Sequence, residues 1–197
     1  MNMARMVSSQ SRRLIVYNHT QNDSYQDVAK KIDVEAFLEG RWPKTAEFQV
    51  MDYLRKNFNE FLEVSMGIKY NAIILDDTGA SFHQNCTPLE VDFMGTPKNN
   101  HNDIFYQMHH FNQAPPKLLL AMDMIVLKET DDELPLEKKV PHRKIIGKLL
   151  QEIRAENDLM PENQRWNERI IDMRNGIVYH TSLDGKVIGT KRFRDFH

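Results

Sequence analysis

Cysteine, glycine and long apolar runs are all scarce in this chain of 197 residues: it has one cysteine, Cys86, and eight glycines. No stretch approaches the ~20 consecutive apolar residues that a membrane helix needs. A single cysteine excludes an intramolecular disulfide and fits a reducing compartment, so a cytoplasmic location is expected. Cys86 closes the run Phe82-His83-Gln84-Asn85-Cys86. Free cysteine is among the most buried residue types, so a structural thiol is expected there ahead of a His-activated nucleophile. Few glycines leave little material for loops that wrap phosphates, and Walker, Gly-x-Gly-x-x-Gly, Gly-x-Ser-x-Gly and Cys-x-x-Cys motifs are absent. A nucleotide-dependent enzyme is therefore disfavoured on this reading, no cofactor is expected, and no membrane partner.

Charge of one sign is also lacking. Twenty-six Lys and Arg face 28 Asp and Glu, for a formal charge of -2. That excludes a generally polyanion-binding chain and leaves room for a local basic face. Residues 1–13 carry Arg5, Arg12 and Arg13 among polar residues and lack the apolar core of a secretory signal. They are expected to be a flexible basic arm ahead of a single α+β domain over 14–197.

Leu14-Ile15-Val16-Tyr17 predicts a first strand. Asn22-Asp23-Ser24 offers a helix cap before the stripe Val28, Ile32, Ala36 and Leu38, and Gly40 ends that helix. A second helix is predicted from about Thr45, with Phe48, Met51, Leu54, Phe58 and Phe61 on one face. The period then shortens. Ile68, Tyr70, Ala72 and Ile74 alternate with their neighbours, and Asp76-Asp77-Thr78-Gly79 predicts a hairpin whose return strand is Ala80 to Gln84. Leu89 to Met94 is expected to be another strand, Asp103 to Phe111 a short helix, and Lys117 to Lys128 a central strand apolar on both faces. Glu129 to Glu137 is read as an acidic linker. The fold class expected is α+β, a mostly antiparallel sheet packed by helices.

Residues 141–197 predict a helix–helix–β-hairpin module. Pro141 opens a helix with Ile145, Ile146, Leu149, Leu150 and Ile153 on its apolar side. Pro161 is expected to open a second helix with Trp166, Ile170 and Met173 inward, and Ile177 to Ser182 to pair with Lys186 to Phe193. That order is the one a winged-helix-like submodule uses to present a recognition helix and a wing. Arg165 and Arg169 would then face a groove, and Lys186, Lys191, Arg192 and Arg194 would grip phosphates. From Pro161 onward, seven Lys and Arg stand against five Asp and Glu, a surplus of two.

Three other groups of residues carry chemistry. His101, His109 and His110 near Asp103 are ligand types for a transition metal, although adjacent histidines on a helix diverge by about 100°. Asp123, placed in the presumed central strand, is expected to be buried with a partner. With Asp92 and Glu90 it forms the outline of a metal-dependent phosphodiesterase or nuclease, without the lysine spacing such sites use. His180-Thr181-Ser182 lacks the second His-x-Ser/Thr that a two-histidine phosphodiesterase requires. The function expected first is a non-catalytic nucleic-acid-binding protein, for RNA or single-stranded DNA, working through Arg12, Arg13, Arg165, Arg169, Lys186, Lys191, Arg192 and Arg194. Tyr179 and Phe193 would stack on bases. The alternatives are a protein–protein adaptor or assembly subunit, which includes self-association, and the nuclease centred on Asp92 and Asp123.

Overall fold

The computed structural model describes residues 13–18, 30–31, 34–41, 48–51, 58–95, 97–133, 140–182 and 185–196. They fall into two compact units. The first runs through residue 109 and includes Gln113–Lys117; the second comprises His110–Asn112 and Leu118 onward.

The first unit is built on a parallel sheet of five strands in the order β2-β3-β1-β4-β5: β1 (Arg13–Asn18), β2 (Lys30–Lys31), β3 (Phe48–Met51), β4 (Asn71–Asp76) and β5 (Asp103–Tyr106). Leu14 to Tyr17 and Ala72 to Leu75 are almost wholly without exposure. Strands apolar on both sides suit a parallel sheet covered on both faces. Helices α1 (Val34–Leu38) and α2 (Phe58–Met66) supply part of that cover. Tyr17 meets Phe58 and Phe61 with ring centroids 5.3 and 5.0 Å apart, and Phe58 meets Phe82 edge-on at 5.0 Å.

Several sequence expectations are corrected here. The sheet of this unit is parallel, so a mostly antiparallel fold describes only the second unit. Phe48–Met51 is a strand where a helix was expected, and Leu54 lies outside the described residues. The hairpin after β4 does not form: Thr78–Ala80 is a 3-10 turn, and Ser81 to Gln84 is not a strand. Leu89–Met94 belongs to helix α3 (Pro88–Gly95). The reason is a capping box at Thr87-x-x-Glu90, in which Thr87 N donates to Glu90 Oε2 (2.6 Å) and Glu90 N donates to Thr87 Oγ1 (3.3 Å). Pro88 at the first helical position reinforces the start. A one-turn helix α4 (Pro97–Asn100) leads into β5, where a helix was expected.

Lys117–Lys128 divides. Pro116 opens helix α5 (Pro116–Ala121), and only Met124–Lys128 is strand β6. In the second unit β6 starts an antiparallel sheet in the order β6-β7-β8-β9, with β7 (Glu168–Asp172), β8 (Ile177–Thr181) and β9 (Val187–Arg192). Helix α6 (Arg143–Asp158) buries Ile145, Ile146, Leu149, Leu150 and Ile153, the stripe the sequence predicts, and contacts β6 and β7. The second helix of the winged-helix reading is absent. Glu162–Gln164 is a single 3-10 turn, and Glu168–Asp172 is a strand whose Arg169 and Ile171 point inward. Ile170 and Met173 were placed on a helical face by a spacing of three, but a strand spaced by two buries Arg169 and Ile171 instead. The terminal hairpin forms as expected around Gly185, which has the left-handed φ of +80° that its turn requires. Among the described residues no helix is long and apolar enough to cross a membrane.

Candidate functional site

In the first unit the connection after β1 leads toward β2 and β3 on one side, and the connection after β4 leads to β5 on the other. Neighbouring strands whose connections diverge leave a crevice at their C-terminal ends, the usual ligand position in an open α/β sheet. Here those ends are Asn18 and Asp76, opposite one another in register and 2% and 3% exposed. Neither residue is without a partner.

Beyond Asp76 the chain bends sharply. Asp77 takes a left-handed conformation (φ 49°, ψ 48°), which Asp tolerates better than most residues. The ladder with β5 continues past that strand's end: Gln107 N donates to Leu75 O (2.9 Å), and Thr78 N and Oγ1 both donate to Gln107 O (3.0 and 3.3 Å). Ser81 N and Phe82 N then close the turn on Thr78 O at 3.0 and 3.4 Å. The result is a rigid step that sets a buried and a part-exposed carboxylate side by side in sequence. His109 Nε2 stands 3.8 Å from Asp77 Oδ1. Tyr106, beside Phe82, has its phenol pushed well above the ordinary value by burial.

An acid at the end of an aliphatic strand is a device that phosphate-transferring folds use to hold Mg2+, which takes one or two carboxylates and fills its other positions with water and phosphate. Asp76 and Asp77 fit that demand. Among the described residues no three His, Cys, Asp or Glu converge. The phosphate side fits less well. The connection after β1 begins Asn18-His19-Thr20-Gln21-Asn22-Asp23-Ser24 and has neither glycine nor lysine before Lys30. A phosphate-cradling loop needs both, for close backbone approach and for a cation.

The other expected sites are placed as follows. His101 sits ahead of β5, stacked on Tyr70 at 5.1 Å and 7°, while His109 follows that strand at its other end, so the histidines are not gathered into one site. Asp92 is exposed on α3, and Glu90, fully buried, caps that helix and holds His83 N and Nδ1, each at 3.0 Å. Asp123 belongs to the second unit, is 53% exposed and pairs with Arg174 (2.9 Å). The expectation of a buried Asp123 is corrected, because it precedes an edge strand and does not lie inside a central one. Cys86 is buried as expected, and that burial, with Glu90 nearby, raises its thiol pKa.

Of the basic residues, Arg12 lies outside the described residues and Arg13 begins β1, half-buried. Arg169 is 3% exposed and bonded to Glu156 Oε1 (2.5 Å), so it is an internal ion pair and not a groove reader. Arg165 is exposed on the connection to β7. Lys191 joins Glu152 (3.1 Å). With Arg192, Arg194 and the half-buried Tyr179 it lines a concavity of about 320 Å³, and Lys186 is exposed in the β8–β9 turn.

The acid pair was the residue set that sequence reading missed. Ala72-Ile73-Ile74-Leu75-Asp76-Asp77 was legible as an aliphatic run ending in two carboxylates, but the hairpin interpretation of Asp77-Thr78-Gly79 absorbed it.

No known protein family and no curated protein matches the chain. Solved structures do. The genome packaging NTPase B204 from Sulfolobus turreted icosahedral virus 2, in complex with AMPPCP, superposes with a TM-score of 0.64 at 12% identity, over 92% of this chain and 88% of that one. Its complex with ATP-gammaS gives 0.63 at 13%, over 95% and 88%. B204, the DNA-packaging ATPase from Sulfolobus Turreted Icosahedral Virus, gives 0.59 at 13%, again over 95% and 88%. The likeness lies in the fold. It overturns the expectation of a non-catalytic nucleic-acid-binding protein organised around its terminal hairpin, because the scaffold similar to this one is that of an NTPase.

Proposed function

We propose that this chain is an NTPase-fold protein of the genome-packaging kind, with its nucleotide crevice at the C-terminal ends of β1 and β4. The observation that carries the reading is the place of Asp76. It is a buried carboxylate at the switch point of a parallel sheet whose fold resembles that of nucleotide-bound packaging NTPases. In this reading Asp76 and Asp77 hold Mg2+ against the phosphates of a nucleoside triphosphate, and Asn18 lines the crevice opposite. Nucleic acid and further copies of the chain are the partners it implies.

The test is equilibrium binding and hydrolysis of Mg-ATP by the full chain, wild type against Asp76→Asn. The reading expects Mg2+-dependent binding in the wild type and a loss of at least about tenfold in the variant, with melting unchanged. Wild type that neither binds nor hydrolyses Mg-ATP ends it. A second reading would then hold, a packaging-assembly subunit that keeps the scaffold without the phosphate grip. The sequence after β1 favours it, since it carries neither glycine nor lysine before Lys30.

A further inference from the structure

The sheet of the second unit covers one face with α6 and leaves the other open, and strand register sorts its residues between the two. Ile125, Ile171, Val178 and Lys191 form a cross-strand row on the α6 side, where Lys191 meets Glu152 of that helix. The rows flanking it face away from α6. One is Val126, Ile170, Tyr179 and Thr190; the other is Met124, Asp172, Ile177 and Arg192. An antiparallel sheet with one solvated face ordinarily sets polar residues on that side. Here five of those eight positions are apolar or aromatic, and Met124 and Val126 are more than half exposed.

Charge is divided across the same face. At its β6–β7 side stand Asp123 and Asp172; at its β8–β9 side stand Arg192 and Arg194. Asp123 is 53% exposed beside Arg174, and Arg194 is 76% exposed, 3.9 Å from Asp195. The concavity with Ile177 and Tyr179 in its wall lies next to these two arginines.

We propose that this face docks a second copy of the chain, sheet on sheet, about a two-fold axis running along the strands between β7 and β8. Rotation about the strand direction reverses the order of strands without shifting residues along them, so each β6 lies across the partner's β9 with the rows in line. Met124, exposed and adaptable, then enters the partner's concavity over Ile177 and Tyr179, where its sulfur can meet the ring. Asp123, the residue before it, comes to Arg192 and Arg194, which lie at the same end of the partner's β9. At the other end Lys128 brings its own counter-charge, Glu168 at 3.5 Å, over Val187. Pairing of strand edges is disfavoured, because the register of β9 on β8 slips between His180 and Thr181, and a bulge blunts an edge. The contact uses the second unit alone and does not rest on the nucleotide reading.

The experiment is sedimentation velocity on the nucleotide-free full chain, from micromolar to millimolar loading. The wild type is expected to pass from monomer to dimer and stop there, as an isologous contact closes on itself. Val126→Asp should raise the dissociation constant at least about tenfold and leave the melting of the dilute monomer unchanged. Asp123→Lys and Arg194→Asp should each weaken the dimer as well. The two reversals combined in one chain should bring it back, since they restore opposite charges across the two-fold.

A wild type that stays monomeric throughout overturns the proposal, and so does association that runs on past two copies. Association that Val126→Asp leaves intact places the contact on another surface and refutes this one. A double reversal no better than either single reversal would show that Asp123 and Arg194 do not meet, and the two-fold fails with them. No arm contains nucleotide, so a failure to bind Mg-ATP ends the functional reading and leaves this result standing.

Discussion

β4 and β6 are both short runs of aliphatic residues, and the two units bury them in opposite ways. All six residues of β4 are buried. In β6 only Ile125 and Leu127 are, while Met124 and Val126 stay 58% and 53% exposed. The first is an interior strand between β1 and β5; the second is the edge of an antiparallel sheet with one open face. An aliphatic run therefore signals a strand without telling how many of its faces are covered. The strand order decides that, and with it where a carboxylate next to the run will lie. Asp76, closing β4, is buried at the C-terminal end of the parallel sheet, whereas Asp123, just ahead of β6, stands in solvent beside Arg174.

The largest effect expected from this contrast is at position 73. Ile73→Asp places an unpaired charge where exposure is zero and should cost more than about 4 kcal/mol, enough to unfold the first unit. Val126→Asp, on the open face of β6, should stay within about 0.5 kcal/mol of wild type. Denaturant melts of the two variants test the pair. Comparable losses would mean that β6 is covered on both faces as β4 is, and the contrast would collapse.

A smaller effect separates two cations that both reach glutamates of α6. Arg169 is 3% exposed and bonded to Glu156, so Arg169→Ala should cost about 3 kcal/mol, leaving polar groups stranded beneath the sheet. Lys191 is 55% exposed beside Glu152, and Lys191→Ala should cost less than about 1 kcal/mol. Thermal melts at low and high salt sharpen the point, because only the Lys191 contribution should fade with salt.

The smallest expected effect lies in the turn between β7 and β8. Asp172 has its pKa held below its ordinary value near 3.8, first by the Asn175 side-chain amide and then by the Asn175 backbone N–H, at 2.8 Å each. A carboxyl whose folded value is depressed stabilises above its unfolded value, and that contribution disappears as pH falls through the lowered folded value. Asn175→Ala should therefore move the Asp172 midpoint up toward 3.8 without abolishing the shift. Carbon chemical shifts followed through an acid titration give the answer. A midpoint that does not move would show that the exposed turns of the second unit are not tied by their side chains.

These contrasts also explain what could be read in advance. β1, the apolar stripe of α6 and the β8–β9 hairpin were legible because each combines one clear period with a local stop signal. α3 and β7 were not. In α3, Leu89, Val91 and Phe93 alternate with acids as a strand would, and only the reciprocal bonds of Thr87 and Glu90 reveal the helix. In β7, Ile170 and Met173 mimic a helical spacing, and the buried position is held by Arg169, a residue type that sequence reading puts in solvent. The acid pair was visible as letters but not as a site, because its meaning depends on β1 lying beside β4. Pairing between strands far apart in sequence leaves no local periodic trace.

The strand orders differ in what they ask of the chain before any of this exists. In the second unit β7, β8 and β9 are neighbours in sequence and in space, so each pairing closes a short loop. In the first, β1 must wait for β3 and β4 to emerge from the chain far downstream before its middle position has either neighbour. Closing long loops costs entropy that later contacts must recover, and sheets of that kind assemble slowly. The pairing of Asn18 with Asp76 is thus among the last features of the molecule to come together, while the terminal hairpins can be complete well before it.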